Sequence, residues 1–196
     1  IGVTLYETVL GFVLGTAAGT LIAITLWWSP AINRVLDPYL VVLNALPKIA
    51  LGPILIVWFG AGITSIIVMA LLISFVVTIM SVLAGFNEIT GEKQLLMKTL
   101  GASKLQIFTM VVLPASLPTI MNALKISVGM SWVGVIVGEY LVSKAGLGYL
   151  IVYGGQVFKL DLVMASIVVL CLLAALMYYG VAYMEKKLVK WRMHGG

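Results

Sequence analysis

The chain has 196 residues, of which 62% are hydrophobic and only 10% charged, and its mean hydropathy is +1.17. A soluble domain is about half apolar and a quarter charged, so this composition belongs to an integral membrane protein. The formal net charge of +5 does not point to nucleic acid, because the basic residues sit beside apolar blocks, where they act as topology signals.

A spanning helix needs about 20 mostly apolar residues, and the chain offers several such blocks. The alternating pattern of a membrane β-barrel is missing, so the spans are expected to be helical. Cys171, the single cysteine, lies inside an apolar run and is expected to be a buried packing residue. The sequence starts at Ile1 without a methionine, a basic n-region or a small-residue cleavage site. It is therefore expected not to open on a signal peptide and to lack its natural N-terminus.

Residues 5–28 form the first expected span. Gly11, Gly15 and Gly19 recur along it every fourth residue, a spacing that lets another helix approach closely, although membrane helices also tolerate glycine generally. Trp27 and Trp28 mark a bilayer interface, and Ser29-Pro30 ends the span. In the connection that follows, Asp37 and Pro38 suit the N-cap and first position of a short helix. Pro47 and Pro53 then interrupt an apolar stretch closed by Gly60 and Gly62, which implies a broken or kinked helix at 41–59. Residues 63–86 are a clean span.

Residues 87–114 are different. They carry Glu88, Glu92, Lys93, Lys98 and Lys104, yet keep apolar residues at helical spacing: Leu95, Leu96 and Leu100 before Gly101, and Leu105, Phe108 and Val112 after it. That pattern predicts two short amphipathic helices turning at a glycine, with Ser103 capping the second. Pro114 and Pro118 are expected to start the next helix, which runs to about Val137. A glycine- and tyrosine-rich segment follows, then a last span over 162–183 and a basic tail containing Lys186, Lys187, Lys190 and Arg192.

Lysine and arginine near the span ends place both the hairpin and the tail in the cytosol. The result is five spans with the N-terminus outside, and six in an intact protein. Three ionisable residues interrupt this scheme. Glu7 is expected to snorkel to the outer interface, Lys125 to reach the cytosolic interface along its stem, and Glu139 to pair with Lys144. A role for Lys125 in a gate, or for Glu139 in contact with substrate or an external partner, is the sharper alternative.

The chain has no G-x-x-x-x-G-K-[ST] phosphate loop, no His/Cys/acid cluster for a metal and no serine that can be paired with a histidine base. His194, the single histidine, lies in the tail. An intramembrane enzyme is therefore disfavoured. A channel or secondary transporter would explain the spans but would leave the hairpin without a docking partner.

Gly101 followed by Val111-x-Leu113-Pro114 resembles, in spacing, the signature of binding-protein-dependent ABC importer permeases, in which Glu-Ala-Ala precedes the glycine and Ile-x-Leu-Pro follows it. Leu95-Leu96-Met97 stands where the family often has Glu-Ala-Ala. Two further stretches, around Pro47, Pro53, Trp58, Phe59, Gly60 and Gly62 and around Glu139, Gly146, Leu147, Gly148 and Tyr149, are similar to permeases of taurine, aliphatic-sulfonate and nitrate importers.

The resemblance implies an all-α, type I importer transmembrane domain over 1–196, in the bacterial plasma (inner) membrane with a cytosolic C-terminus. Residues 87–113 would be the cytosolic coupling hairpin, 138–161 an external re-entrant or interfacial segment, and 185–196 the cytosolic tail. Leu95, Leu96, Met97, Leu100, Gly101, Ala102, Ser103, Val111, Leu113 and Pro114 would couple it to the ATPase. Pro47, Pro53, Lys125, Trp132 and Glu139 are candidates for the translocation path or gate. The chain would hold no cofactor or metal, since ATP and magnesium belong to partner ATPase subunits. A second permease copy (a homodimer), an external substrate-binding protein and the lipid bilayer are the other partners. The family default is a small sulfonate, taurine or nitrate-like anion, with a heterocyclic vitamin precursor as competitor.

Overall fold

In lipid every backbone N–H and C=O must find its partner within the protein, and this chain meets that demand with helices. The computed structural model describes residues 1–89 and 91–189, and among these there is no strand. The helices in order are α1 (Gly2–Trp28), α2 (Pro30–Ala45), α3 (Gly52–Phe59), α4 (Ile63–Asn87), α5 (Gly91–Thr99), α6 (Lys104–Ile107), α7 (Leu113–Val142), α8 (Leu147–Gln156) and α9 (Leu160–Val189). Four segments are long and apolar enough to cross a membrane: α1, α4, the continuous rod Lys104–Val142, and Leu160–Leu188. A fifth crossing exists if α2 and the segment Lys48–Phe59 count as one span broken by 85°.

The centre of the bundle is α4, with α1 packed on one side and α7 on another. Small residues set that arrangement. A Cβ added at Gly11 would lie 2.6 Å from the Cβ of Ala70, one at Gly15 would strike Ser74, and one at Gly19 would lie 2.8 Å from Thr78. The four-residue step on α1 thus meets a four-residue step on α4, and the expected close-packing face is this one. Hydroxyls cross the second interface, with Thr78 and Ser127 sharing a 2.7 Å hydrogen bond and Ser116 donating to the Gly85 carbonyl at 2.9 Å. By contrast α9 is largely exposed along its length, whereas more than half of the apolar stretch of α4 is buried.

Several local expectations are revised. The connection after α1 is one helix from Pro30, with Ser29 at its N-cap, and Pro38 lies inside it rather than at its start. Pro30 supplies the same first-turn advantage earlier in the chain. Pro38 has no N–H, so the carbonyl four residues before it lacks its usual intrahelical donor. The break expected near Pro47 is present: Leu46 caps α2 in an extended conformation, and Pro47 precedes a 3₁₀ turn over Lys48–Leu51. Pro114 stands in the first turn of α7, as expected, whereas Pro118 lies inside it; α7 is entered without a loop, because a π-helical turn, Phe108–Val112, joins it to α6 in one rod from Lys104. That turn carries the register shift that lets Pro114 sit within a continuous rod. The helix α7 also extends past Val137 to Val142, so Glu139 belongs to its last turn.

Cys171 is exposed rather than buried, because α9 packs on the bundle only along a narrow stripe. The tail residues Lys190, Arg192 and His194 lie outside the described residues.

Candidate functional site

The hairpin is built by two successive capping devices. At the end of α5 the Ala102 N–H donates to the Met97 carbonyl and the Gly101 N–H to the Lys98 carbonyl, both at 3.0 Å. This is a Schellman closure, and it places Gly101 at φ +81°, a conformation that costs glycine nothing. The hydrophobic contact that accompanies such a closure is present, since Met97 and Ala102 both pack on the same buried cluster. Two residues later Ser103 opens α6 with a capping box. Its hydroxyl accepts from the Gln106 N–H at 3.3 Å, and its own N–H donates to the Gln106 side-chain oxygen at 2.8 Å. The helix–Gly–Ser–helix pattern legible in the sequence is thus a tightly specified turn.

The hairpin is held against the end of α1 by contacts that periodicity did not reveal. Phe108 sits 5.0 Å from Trp27, 6.2 Å from Trp28 and 5.5 Å from Phe86, centroid to centroid. Lys104 donates to the Trp28 carbonyl, and its ammonium lies 5.7 Å and 5.6 Å from the two indole rings. A cation at that range is attracted by the ring faces. The tryptophan pair therefore does more than mark an interface: it seats the first turns of the rod. The clue available in the sequence was a Trp-Trp pair and a Lys-x-x-x-Phe step, which nothing but tertiary structure connects. A cavity of about 400 Å³ lies under the hairpin, lined by Trp27, Asn33, Gln94, Lys98 and Lys104 among others.

The rest of the hairpin faces away. Leu95 and Leu96 are each 62% exposed and Leu100 73%; Leu105 and Met110 are exposed as well. Met97, Ala102, Val111, Leu113 and Pro114 are half-buried at the base, with Gly101 and Ser103 at the exposed turn. An apolar surface of this kind, on a polar-studded segment with two specified caps, has the character of a docking face.

The remaining candidate residues are not gathered in one place. Pro47 sits at the α2 break, while Pro53 lines an apolar cavity of about 500 Å³ with Ile49, Ala50, Ile136, Val137 and Tyr140. Trp132 is buried with Met121, Val128 and Val181, where α7 meets α9. Lys125 pairs with Glu185 of α9 at 3.0 Å. Glu139 is 1% exposed and accepts from the Gly148 N–H, and Lys144 forms no ion pair with it. Glu7, expected to snorkel, is fully buried against Glu139. Both glutamates are drawn inward because α8 closes over the end of α1 and α7, a contact between segments some 140 residues apart. Among the described residues there is no metal-binding cluster.

Residues 11–190 match the family model described as the inner membrane component of binding-protein-dependent transport systems. The chain is 32% identical over 177 residues to the taurine transport system permease protein TauC of Escherichia coli, covering 90% of this chain and 64% of that protein. It is 31% identical over 183 residues to the formylaminopyrimidine transport permease protein ThiX of Halalkalibacterium halodurans, covering 93% of this chain and 73% of that one. Among solved structures, the inward-facing MetNI methionine ABC transporter superposes with a TM-score of 0.76 over 95% of this chain and 91% of the matched chain; at 21% identity, that likeness concerns the fold. With the family model spanning most of its length, the chain belongs to the binding-protein-dependent transport system inner membrane components, as an all-helical, multi-pass membrane protein.

Proposed function

We propose that this chain is the membrane-spanning permease subunit of an ATP-driven importer, moving a small nutrient by alternating access and leaving ATP hydrolysis to separate ATPase subunits. The observation that carries this reading is the hairpin. Its exposed leucines, Leu95, Leu96, Leu100 and Leu105, stand on a turn specified by Gly101 and Ser103 and seated on Trp27 and Trp28. A rigid apolar face suits transmission of motion from a partner, because the rod from Lys104 to Val142 connects it without a break to the interior of the bundle. In this reading ATP binding by the ATPase subunits shifts the permease between inward- and outward-facing populations. The hairpin and the C-terminus face the cytosol of a bacterial inner membrane, ATP and magnesium stay on the partner, and a second copy of this chain and an external binding protein complete the assembly.

The substrate we favour is a small sulfonate such as taurine, or a similar anion, following the relative named above. A heterocyclic vitamin precursor is the second reading, because the formylaminopyrimidine permease matches over a comparable share of the chain. The described path residues present no dense charge cluster, so discrimination is assigned to the external binding protein.

The test is co-purification and uptake. Gentle solubilisation should bring down an ATPase subunit with this chain, and proteoliposomes holding the complex and its binding protein should accumulate substrate only with ATP. Uptake driven by an ion gradient without an ATPase would favour a secondary transporter instead. The ligand that raises the melting temperature of the partner binding protein names the substrate class.

A further inference from the structure

The apolar span α1 ends at Trp28, and the tryptophan pair there sits at the level of a bilayer boundary. At that end the cavity of about 400 Å³ opens between α1, the first turn of α2 and the hairpin, with Leu26, Trp27, Asn33, Lys98 and Lys104 in its wall. Its size is that of a ligand site, about 300–1,000 Å³, rather than of a gap for one or two waters. Its depth is that of lipid headgroups.

The wall is cationic. Lys104 is held in place, since its ammonium donates to the Trp28 carbonyl and lies over both indole rings. An ammonium has three N–H donors, so others remain for a ligand. Lys98, in the last turn of α5, is exposed and forms no ion pair among the described residues. None of the described lining residues is acidic. Glu88, which follows the lining residue Asn87, is engaged elsewhere, accepting from the Thr119 hydroxyl at 3.2 Å. The first turn of α2 adds the positive end of a helix dipole.

Two further features narrow the ligand. The side-chain oxygen of Asn33 is buried without a donor, which a hydroxyl on the ligand would supply. Trp28, Ile32 and Val35, sequence neighbours of the lining residues, are exposed and apolar, a surface suited to acyl chains. Basic pockets at the ends of transmembrane helices take anionic headgroups.

We propose that this cavity holds the headgroup of one anionic glycerophospholipid with the chemistry of phosphatidylglycerol. Its phosphodiester lies between Lys98 and Lys104, a headgroup hydroxyl donates to Asn33, and its acyl chains follow the exposed apolar surface of α1 and α2. The lipid thereby joins the hairpin to the end of the first span. A lipid is favoured over free phosphate because the cavity stands at a span end beside apolar surface. The site does not depend on the hairpin's coupling role, so its test is separate from that of the import function.

The experiment uses the full chain in nanodiscs of mixed phosphatidylglycerol and phosphatidylcholine, released for native mass spectrometry. Wild type should retain one phosphatidylglycerol per chain in preference to phosphatidylcholine. Lys98→Gln, which leaves the Lys104 seat intact, should weaken that retention about fivefold, the weight of one lysine at a membrane surface. Lys186→Gln, at the far end of α9, should leave it unchanged. Glycerol phosphate added in solution should not displace the lipid. Equal retention of the two lipids by wild type would overturn the proposal, as would wild-type retention in Lys98→Gln. An equal loss in Lys186→Gln would overturn it by showing a general attraction to basic surface. Displacement by glycerol phosphate would overturn it in favour of a soluble phosphate ligand.

Discussion

Gly134 of α7 lies so close to Ala70 of α4 that a methyl group at 134 would overlap the Ala70 backbone. On its other side the Ala70 Cβ lies 2.6 Å from where a side chain on Gly11 would begin. One small residue, 0% exposed, therefore stands between two glycines and lets three helices approach along a single line. In a bilayer, where lipid is as apolar as leucine, such close van der Waals packing drives association.

The two glycines should respond differently to substitution. Gly11→Ala meets a side chain, so combining it with Ala70→Gly should recover much of its loss. Gly134→Ala meets backbone, and the same second change should recover little. Overpacking of this kind costs about 1–3 kcal/mol. Unfolding of the purified variants in mixed micelles measures it, and equal rescue in both cases would contradict the geometry.

Lys125 and Glu185 should behave as a pair that locks α9 to α7. Their side chains are only 17% and 26% exposed, so Lys125→Ala should cost about 1–3 kcal/mol by leaving a half-buried carboxylate without its donor. Exchanging the two residues, Lys125→Glu with Glu185→Lys, should restore most of that stability. If the single variant unfolds at the wild-type midpoint, α9 is held by apolar contacts alone.

Thr78→Val should test the buried hydroxyl bridge to Ser127. Interhelical hydrogen bonds in membranes are worth about 0.6 kcal/mol and rarely more than 1.7, so the expected loss is small. A loss above about 2 kcal/mol would mean that the valine methyl, not the missing bond, disturbs the packing.

Gly101→Val should separate ATP hydrolysis from uptake. Valine strongly resists φ +81°, and the turn that presents Leu95, Leu96 and Leu100 would have to be rebuilt. No neighbouring atom lies within 4 Å of a Cβ built there, so the effect is on backbone conformation rather than crowding. Uptake in proteoliposomes should fall at least tenfold while the chain remains folded. Unchanged uptake would remove the hairpin from the coupling role.

Trp27→Ala should weaken the seat of the hairpin without touching its exposed face. Losing a half-buried indole in contact with Phe108 and Lys104 should cost about 2–4 kcal/mol and raise protease sensitivity near Gly101. Proteolysis at the wild-type rate would show that the hairpin is held by Ile107, Phe86 and Val112 instead.

Much of this protein was legible residue by residue. The apolar blocks, the glycine ladder on α1, the break at Pro47 and the turn at Gly101 and Ser103 all rest on local physics: chain length against bilayer thickness, backbone freedom at glycine, and side-chain caps three residues away. The family resemblance came through the same local spacing, from Gly101 to Leu113-Pro114. Where local signals competed, as at Pro30 and Pro38, the earlier proline took the helix start and the later one was absorbed inside the helix.

Only the tertiary structure decided the fates of the charges and aromatics. Glu7 and Glu139 are 132 positions apart and each reads alone as an interfacial residue; α8 folding over them makes them one buried pair. Lys125 acquired Glu185, and Trp27 and Trp28 acquired Phe108 and Lys104, by the same route. The physical reason is range. Helix formation, capping and span length depend on neighbours within a few residues, whereas burial of a charge depends on which distant segment closes over it.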